Sequence, residues 1–247
     1  GDPSQCMERR VPTQRPMGVM ACMRWGQSLA ERWLEGHPDL TLENWTCASA
    51  AEARETAQTG ARPFAVQEVA PGVFVHVGAV DTPDPQNGGD VANIGFVVGE
   101  EAVAVIDAGG ARPVGEALMA EIAARTDKPV DWVILTHMHP DHVLGAGVFA
   151  DAGATVIGHA KLRRALAARS ETYVNNIRRL VGERAWADTE VVLPDEGVSG
   201  RREIDLGNRV LVLEAHETAH TDNDLTVLDR RTGTWWVGDL VFQEHTP

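Results

Sequence analysis

The sequence predicts a layered α/β domain in which two sheets lie between helices, and three features predict it. Short β-branched runs at residues 130–135 and 154–158 alternate with a stretch of helical apolar spacing at 112–125. Antiparallel hairpin signals stand early, around Pro71-Gly72 and Gly99-Glu100-Glu101, and late, around Arg231-Thr232-Gly233. Strands that alternate with helices need a helix-covered sheet, and hairpins in both halves supply a second sheet to pack on the first. A chain of 247 residues is long enough for one such domain and a short additional segment.

Residues 1–62 differ in character from the rest and are expected to form a cysteine-containing extension, with the domain at 63–247. Residues 24–34 place Trp25, Leu29, Trp33 and Leu34 at the spacing of a short amphipathic helix, which Gly36-His37-Pro38 stops. The alanine-rich stretch 48–59 reads as a helix or a linker. All three cysteines, Cys6, Cys22 and Cys47, lie in this region. One disulfide with a leftover thiol fits an oxidising compartment, and three free thiols fit a reducing one. Residues 66–69 and 73–77 read as strands, with His76 in a structural or solvent-facing place. The turn-rich loop 81–90 (DTPDPQNGGD) is expected to flap over a site.

A second hairpin at 93–98 and 102–106 runs out into Asp107-Ala108-Gly109-Gly110, and the helix at 112–125 follows. The run 130–135 then reads as a buried strand leading into Thr136-His137-Met138-His139-Pro140-Asp141-His142. Residues two apart on extended chain share a face, so His137 and His139 aim at one point. Pro140 suits the first turn of a helix, which carries Asp141 and His142 to an adjacent point. Imidazole and carboxylate donors without cysteine, leaving a position open, are the donor set of a catalytic zinc. Further on, a short helix at 144–149 precedes the strand 154–158, and His159 either lines the pocket or is structural. Residues 161–181 read as one or two helices basic on one face, and Tyr173 there points to substrate or belongs to the core. Strands are expected at 209–214, 225–228 and 234–237, with an apolar strand again after Asp239.

His-x-His-x-Asp-His behind a hydrophobic strand resembles the signature of the metallo-β-lactamase-fold hydrolase superfamily. The resemblance implies a four-layer αββα fold, covers residues 64–242, and assigns further positions. His220, in Ala219-His220-Thr221, becomes the third ligand beside His137 and His139, ahead of His216. Asp239, in Gly238-Asp239-Leu240, becomes a carboxylate bridging to a second metal held by Asp141 and His142. Asp107 becomes a carboxylate that steadies the histidine loop without binding metal. A further second-metal histidine is expected after Asp239; His245 comes too soon for it, so the chain is expected to be truncated at its C-terminus.

The implied activity is zinc-dependent hydrolysis of an ester, thioester or lactam-like substrate. One or two zinc ions lower the pKa of a water to about 7, and Asp141 steers the proton of the attacking metal-bound hydroxide. Strict β-lactamase activity is disfavoured, because that group's second-metal cysteine is missing here. Persulfide dioxygenases resemble the same fold, so a single iron is the alternative metal, and a non-catalytic metal-binding partner protein is a third possibility. The wording His220-Thr221-Asp222-Asn223-Asp224-Leu225 and the cysteine-bearing extension are similar to hydrolases of quinoprotein relay systems, related to sulfur-oxidation hydrolases. This implies a periplasmic protein that works on a small molecule beside a quinoprotein dehydrogenase. With 36 acidic against 22 basic side chains, net −14, the chain disfavours nucleic acid and anionic membrane as partners. No run approaches the eighteen or so apolar residues of a membrane span.

Overall fold

The computed structural model describes residue 11 and residues 19–35, 41–42, 44–45 and 64–242. The stretch 48–59, His37, Cys6, Cys47 and His245 lie outside the described residues. Helix α1 (Val19–Leu34) begins a turn earlier than the spacing predicts. It carries Cys22, which is disulfide-bonded, and presents Gly26 to Trp45, whose ring lies 2.7 Å from where a Cβ would be.

A seven-stranded sheet runs in sequence order: β1 (Gln67–Ala70), β2 (Val73–His76), β3 (Ile94–Val98), β4 (Val103–Ile106), β5 (Val130–Leu135), β6 (Thr155–His159) and β7 (Glu196–Val198). The first four strands are antiparallel; from β4 to β7 the pairing is parallel. Each parallel step has a helical crossover, as such pairs require. Helix α2 (Arg112–Ala123) joins β4 to β5, α3 (Pro140–Val143) and α4 (Gly147–Asp151) join β5 to β6, and α5 (Leu162–Trp186) joins β6 to β7. A second, antiparallel sheet has the order β11 (Thr234–Trp236), β10 (Leu225–Asp229), β9 (Val210–Ala215), β8 (Arg201–Asp205).

The period of two along the central strands divides the core. Val103 and Val105 of β4 and Val133 and Leu135 of β5 meet Leu118 and Ile122 of α2, Phe149 of α4 and Leu166 of α5. Ala104, Ile106 and Ile134 point the other way, into Leu211, Leu213, Val227 and Trp236 of the second sheet. Strands buried on both faces read as unbroken apolar runs, which is why β5 stands out in the sequence.

Several elements differ from expectation. The β7 and β8 strands were not foreseen, since they bury little besides Val198 and Ile204. The expected strand after Asp239 is instead a short 3-10 helix, Gly238–Leu240, and Val241 beyond it is exposed. Helix α5 extends to Trp186 and breaks at Gly182, where φ is 82°. The loop 81–90 is held together by its own hydrogen bonds. Asp84 Oδ1 accepts the backbone N–H groups of Gln86 and Asn87, each at 2.7 Å, and Asn87 Oδ1 accepts those of Asp84 and Gly89. His76 anchors its far end, buried, stacked on Phe64 at 3.7 Å and bonded to Asp90 at 2.8 Å.

Parallel strands β4, β5 and β6 all end at one edge, and Asp107, Thr136–His137 and His159 stand there. Open α/β sheets place their sites beyond these carboxyl ends.

Candidate metal centre

The centre is built from the chain leaving β5, the first turn of α3, the loop between β9 and β10, and the 3-10 helix. His139 is the N-cap residue of α3, with extended backbone (φ −65°, ψ 142°), and Pro140 opens the helix. This turn points His139 one way and His142 the other, as the spacing predicts. His220 sits in a loop braced by Asp224, whose carboxylate accepts the Thr221 backbone N–H at 2.9 Å and its hydroxyl at 2.6 Å. The two sheets are tied here by the Leu225 N–H, which donates to the Thr136 carbonyl at 2.8 Å.

Three imidazole nitrogens converge. His139 Nδ1 is 3.1 Å from His137 Nε2 and 2.9 Å from His220 Nε2, and Asp239 Oδ2 lies 3.7 and 3.4 Å from those two Nε2 atoms. The four donor atoms of His137, His139, His220 and Asp239 all fall within 4.8 Å of one another. Nitrogens about 2.0–2.1 Å from a tetrahedral ion stand roughly 3.3 Å apart, so this set fits a metal of that kind. The other Asp239 oxygen, Oδ1, is 3.2 Å from His142 Nε2, which in turn is 3.5 Å from Asp141 Oδ2. Asp239 therefore stands between two groups of donors.

Beneath them lies Asp107, held in the left-handed region at φ 55°. Oδ1 accepts the Thr136 backbone N–H at 2.8 Å. Oδ2 accepts the Thr136 hydroxyl at 2.8 Å and faces His142 Nδ1 at 2.8 Å. A carboxylate only accepts, so Nδ1 of His142 carries a proton, and Nε2 is the ring nitrogen left to a metal when it displaces the second proton. The Thr136 hydroxyl is committed to Asp107 as donor, so at 3.0 Å it accepts from His137 Nδ1, leaving His137 Nε2 free as well. Asp107 thus sets the tautomer of one histidine directly and of another through Thr136. The second arm, through Thr136, was not anticipated from the sequence; the only signal for it is a hydroxyl residue immediately before the first histidine.

Electrostatics sort the groups further. Burial, reinforced by the neighbouring His142, lowers His137 to about 2, and burial with His220 lowers His139. Both stay neutral, the form that binds metal. Burial opposes charge on Asp239, but its hydrogen bond and charge contact with His142 prevail and lower it to about 2. Burial likewise opposes protonation of His142, and the Asp107 carboxylate outweighs it, raising His142 well above the usual histidine value.

The remaining candidates fall outside this cluster. His216 Nε2 pairs with the Thr226 hydroxyl at 2.8 Å, so it braces the base of the loop and is not among the converging donors. His159 accepts the Lys161 backbone N–H at 3.0 Å, a structural role. Tyr173 packs half-buried against the helical core. The turn 84–90 packs beside the centre: a Cβ on Gly110 would lie 2.4 Å from the Gly89 carbonyl and 3.3 Å from Asp141 Cα.

The fold is similar to that of a metallo-beta-lactamase from Pontibacter korlensis, with a TM-score of 0.53 and 18% identity over 68% of this chain and 67% of that one. It is similar also to the metallo-beta-lactamase IND-7, with a TM-score of 0.50 and 18% identity over 68% and 67%. No curated protein matches the sequence. Residues 87–247 match the sequence profile of the metallo-beta-lactamase superfamily. With that match and a histidine–aspartate cluster beyond the carboxyl ends of the parallel strands, the chain belongs to the metallo-beta-lactamase superfamily.

Proposed function

We propose that this chain is a zinc-dependent hydrolase of a small ester, thioester or lactam-like substrate. His137, His139 and His220 would hold one metal, Asp141 and His142 a second, with Asp239 shared. The observation that carries this reading is the division of Asp239, with Oδ2 toward His220 and His137 and Oδ1 toward His142. When bound, such ions acidify a water and polarise the bond under attack. The protein supplies the rest. His137 and His139 remain neutral under burial, and Asp239 remains anionic between the two groups. Asp141, more exposed than Asp239, offers a carboxylate oxygen to take and pass on the proton of the attacking water. The turn 84–90 forms a fixed shoulder beside Asp141, so a substrate enters a preformed site.

The disulfide at Cys22 supports an oxidising, periplasmic compartment, and the His220–Leu225 wording supports work beside a quinoprotein dehydrogenase. Elemental analysis of purified protein, with His220→Ala in parallel, tests the central reading alongside turnover of generic ester and lactam probes. Zinc that falls in His220→Ala, together with probe hydrolysis that falls with it, is the expected result. One iron per chain, or metal without any hydrolysis, would overturn it.

A further inference from the structure

A cleft of about 390 Å³ opens at the other end of the sandwich from the histidines. Strands β4 and β5 start beside it, after Glu100 and Lys128, and end at Asp107 and Thr136. A six-residue strand at about 3.3 Å per residue separates the two places by roughly 20 Å. The walls come from both sheets: the β1–β2 turn at Gly72, the β3–β4 turn at Gly99, Arg209 before β9, and Arg231 in the β10–β11 turn.

Its charge runs against that of the molecule. In a chain of net charge −14, this cleft gathers Arg125, Lys128, Arg209 and Arg231 around a single carboxylate, Glu100. Two of the four cations are already matched. Arg209 is buried and places Nε and Nη2 on Asp229 at 3.2 and 2.7 Å, with Nη1 on the Val98 carbonyl at 2.9 Å. Arg125 pairs with Glu121 at 2.5 Å and lies over the Phe74 ring. The other two are not matched. Lys128 Nζ donates to the Gly99 carbonyl at 2.7 Å, which leaves two N–H groups, and it forms no ion pair among the described residues. The Arg231 backbone N–H donates to Asp229 at 3.2 Å, but its guanidinium has no partner among the described residues. The wall between them is fixed, because Gly72 (φ 70°) leaves room only for Arg209, whose Nη1 is 2.4 Å from where a Cβ would be.

We propose that this cleft binds a small oxyanion, the phosphate or carboxylate group of a small molecule, held between Lys128 and Arg231. Charge-assisted bonds of this kind are the strong ones, and a planar guanidinium matches an oxyanion's edge. Lys128 leads into the seven-stranded sheet and Arg231 belongs to the four-stranded one, so the bound anion ties the two sheets together. The site is independent of the hydrolase reading and leaves the metal centre untouched.

Inorganic phosphate is the first probe, titrated by calorimetry into the full chain, with Tm followed in parallel against sodium chloride of equal ionic strength. Saturable binding near one per chain and a Tm rise beyond the chloride control are expected. Arg231→Ala, which removes an exposed side chain without a partner, weakens binding about tenfold or more, and Lys128→Ala does the same. Sodium succinate run alongside distinguishes a phosphate-selective site from one that takes carboxylates. The His220→Ala protein separates this cleft from the metal centre and retains phosphate binding. A Tm no higher than in chloride, binding unchanged in both the Arg231→Ala and Lys128→Ala proteins, or binding abolished by His220→Ala alone would each overturn the proposal.

Discussion

Replacing Asp107 by asparagine separates the two arms beneath the metal centre. The side chain is buried, and asparagine tolerates its left-handed backbone, so shape and main chain are conserved. One amide oxygen can still accept the Thr136 N–H, but the NH2 then faces the Thr136 hydroxyl and His142 Nδ1, both of which now donate to Oδ2 at 2.8 Å. His142 relieves the clash by giving up its Nδ1 proton and keeping one on Nε2, which points at Asp239 and closes that nitrogen to a metal. Loss of such a supporting partner costs about 10–100-fold in metal affinity, or about 1.4–2.7 kcal/mol. Thr136→Val is the companion, because it removes the hydroxyl that orients His137 while Asp107 keeps its direct contact with His142. Competition titration with a chromophoric chelator should therefore show metal binding weakened more in Asp107→Asn, which disturbs both His142 and His137, than in Thr136→Val, which disturbs His137. Wild-type metal affinity in a folded Asp107→Asn protein would refute the reasoning.

Other outcomes follow from groups that bind no metal themselves. Asp229→Asn leaves the buried Arg209 without its carboxylate and should cost about 3–5 kcal/mol in urea unfolding. Burial works against charge on Asp229, yet the bonds from Arg209 and Thr232 hold it below the ordinary aspartate range. Its folded pKa is lower than its unfolded one, so the pair's stabilisation is complete above about pH 4 and lost as pH falls through the folded value. Urea midpoints measured from pH 6 to pH 2 should fall less steeply in Asp229→Asn than in wild type. Gly145→Ala puts a Cβ 2.0 Å from the Ala108 carbonyl, a main-chain contact that cannot turn aside. Thermal unfolding should show a loss of about 1–3 kcal/mol, and an unchanged Tm would mean the loop yields.

The parts of the molecule legible in its sequence are those where one force dominates. Strand β5 is buried on both faces, so its residues are apolar without interruption, and Pro140 fixes where the chain turns. Asp107 was expected to steady the histidine loop and does so. The parts that escaped are those where local pattern and tertiary setting disagree. In β8 only Ile204 of Arg201–Asp205 is buried, and a charged edge strand carries almost no periodic signal. Leu240-Val241-Phe242 has strand composition, yet Gly238 at φ 51° bends the chain into a 3-10 turn and Phe242 goes to the His220 ring at 5.6 Å. The loop 81–90 has turn composition, but that Asp84 and Asn87 bond its own backbone could not be read from composition alone. Spacing alone could not rank His216 against His220 either; the hydroxyl of Thr226, across the strand, takes His216 out of contention.

Gly89 against Gly110, Gly115 against Gly145 and Gly145 against Ala108 stack main chain on main chain under the metal loop, each with no room for a Cβ. A platform made of peptide groups is indifferent to which side chains surround it. Residues lining the mouth can then be exchanged while the ligand atoms keep their positions. In an unfolding experiment the same platform implies that the loop is already ordered when the ion arrives. Uptake should then be limited by collision and ligand deprotonation, with no slow folding phase ahead of it.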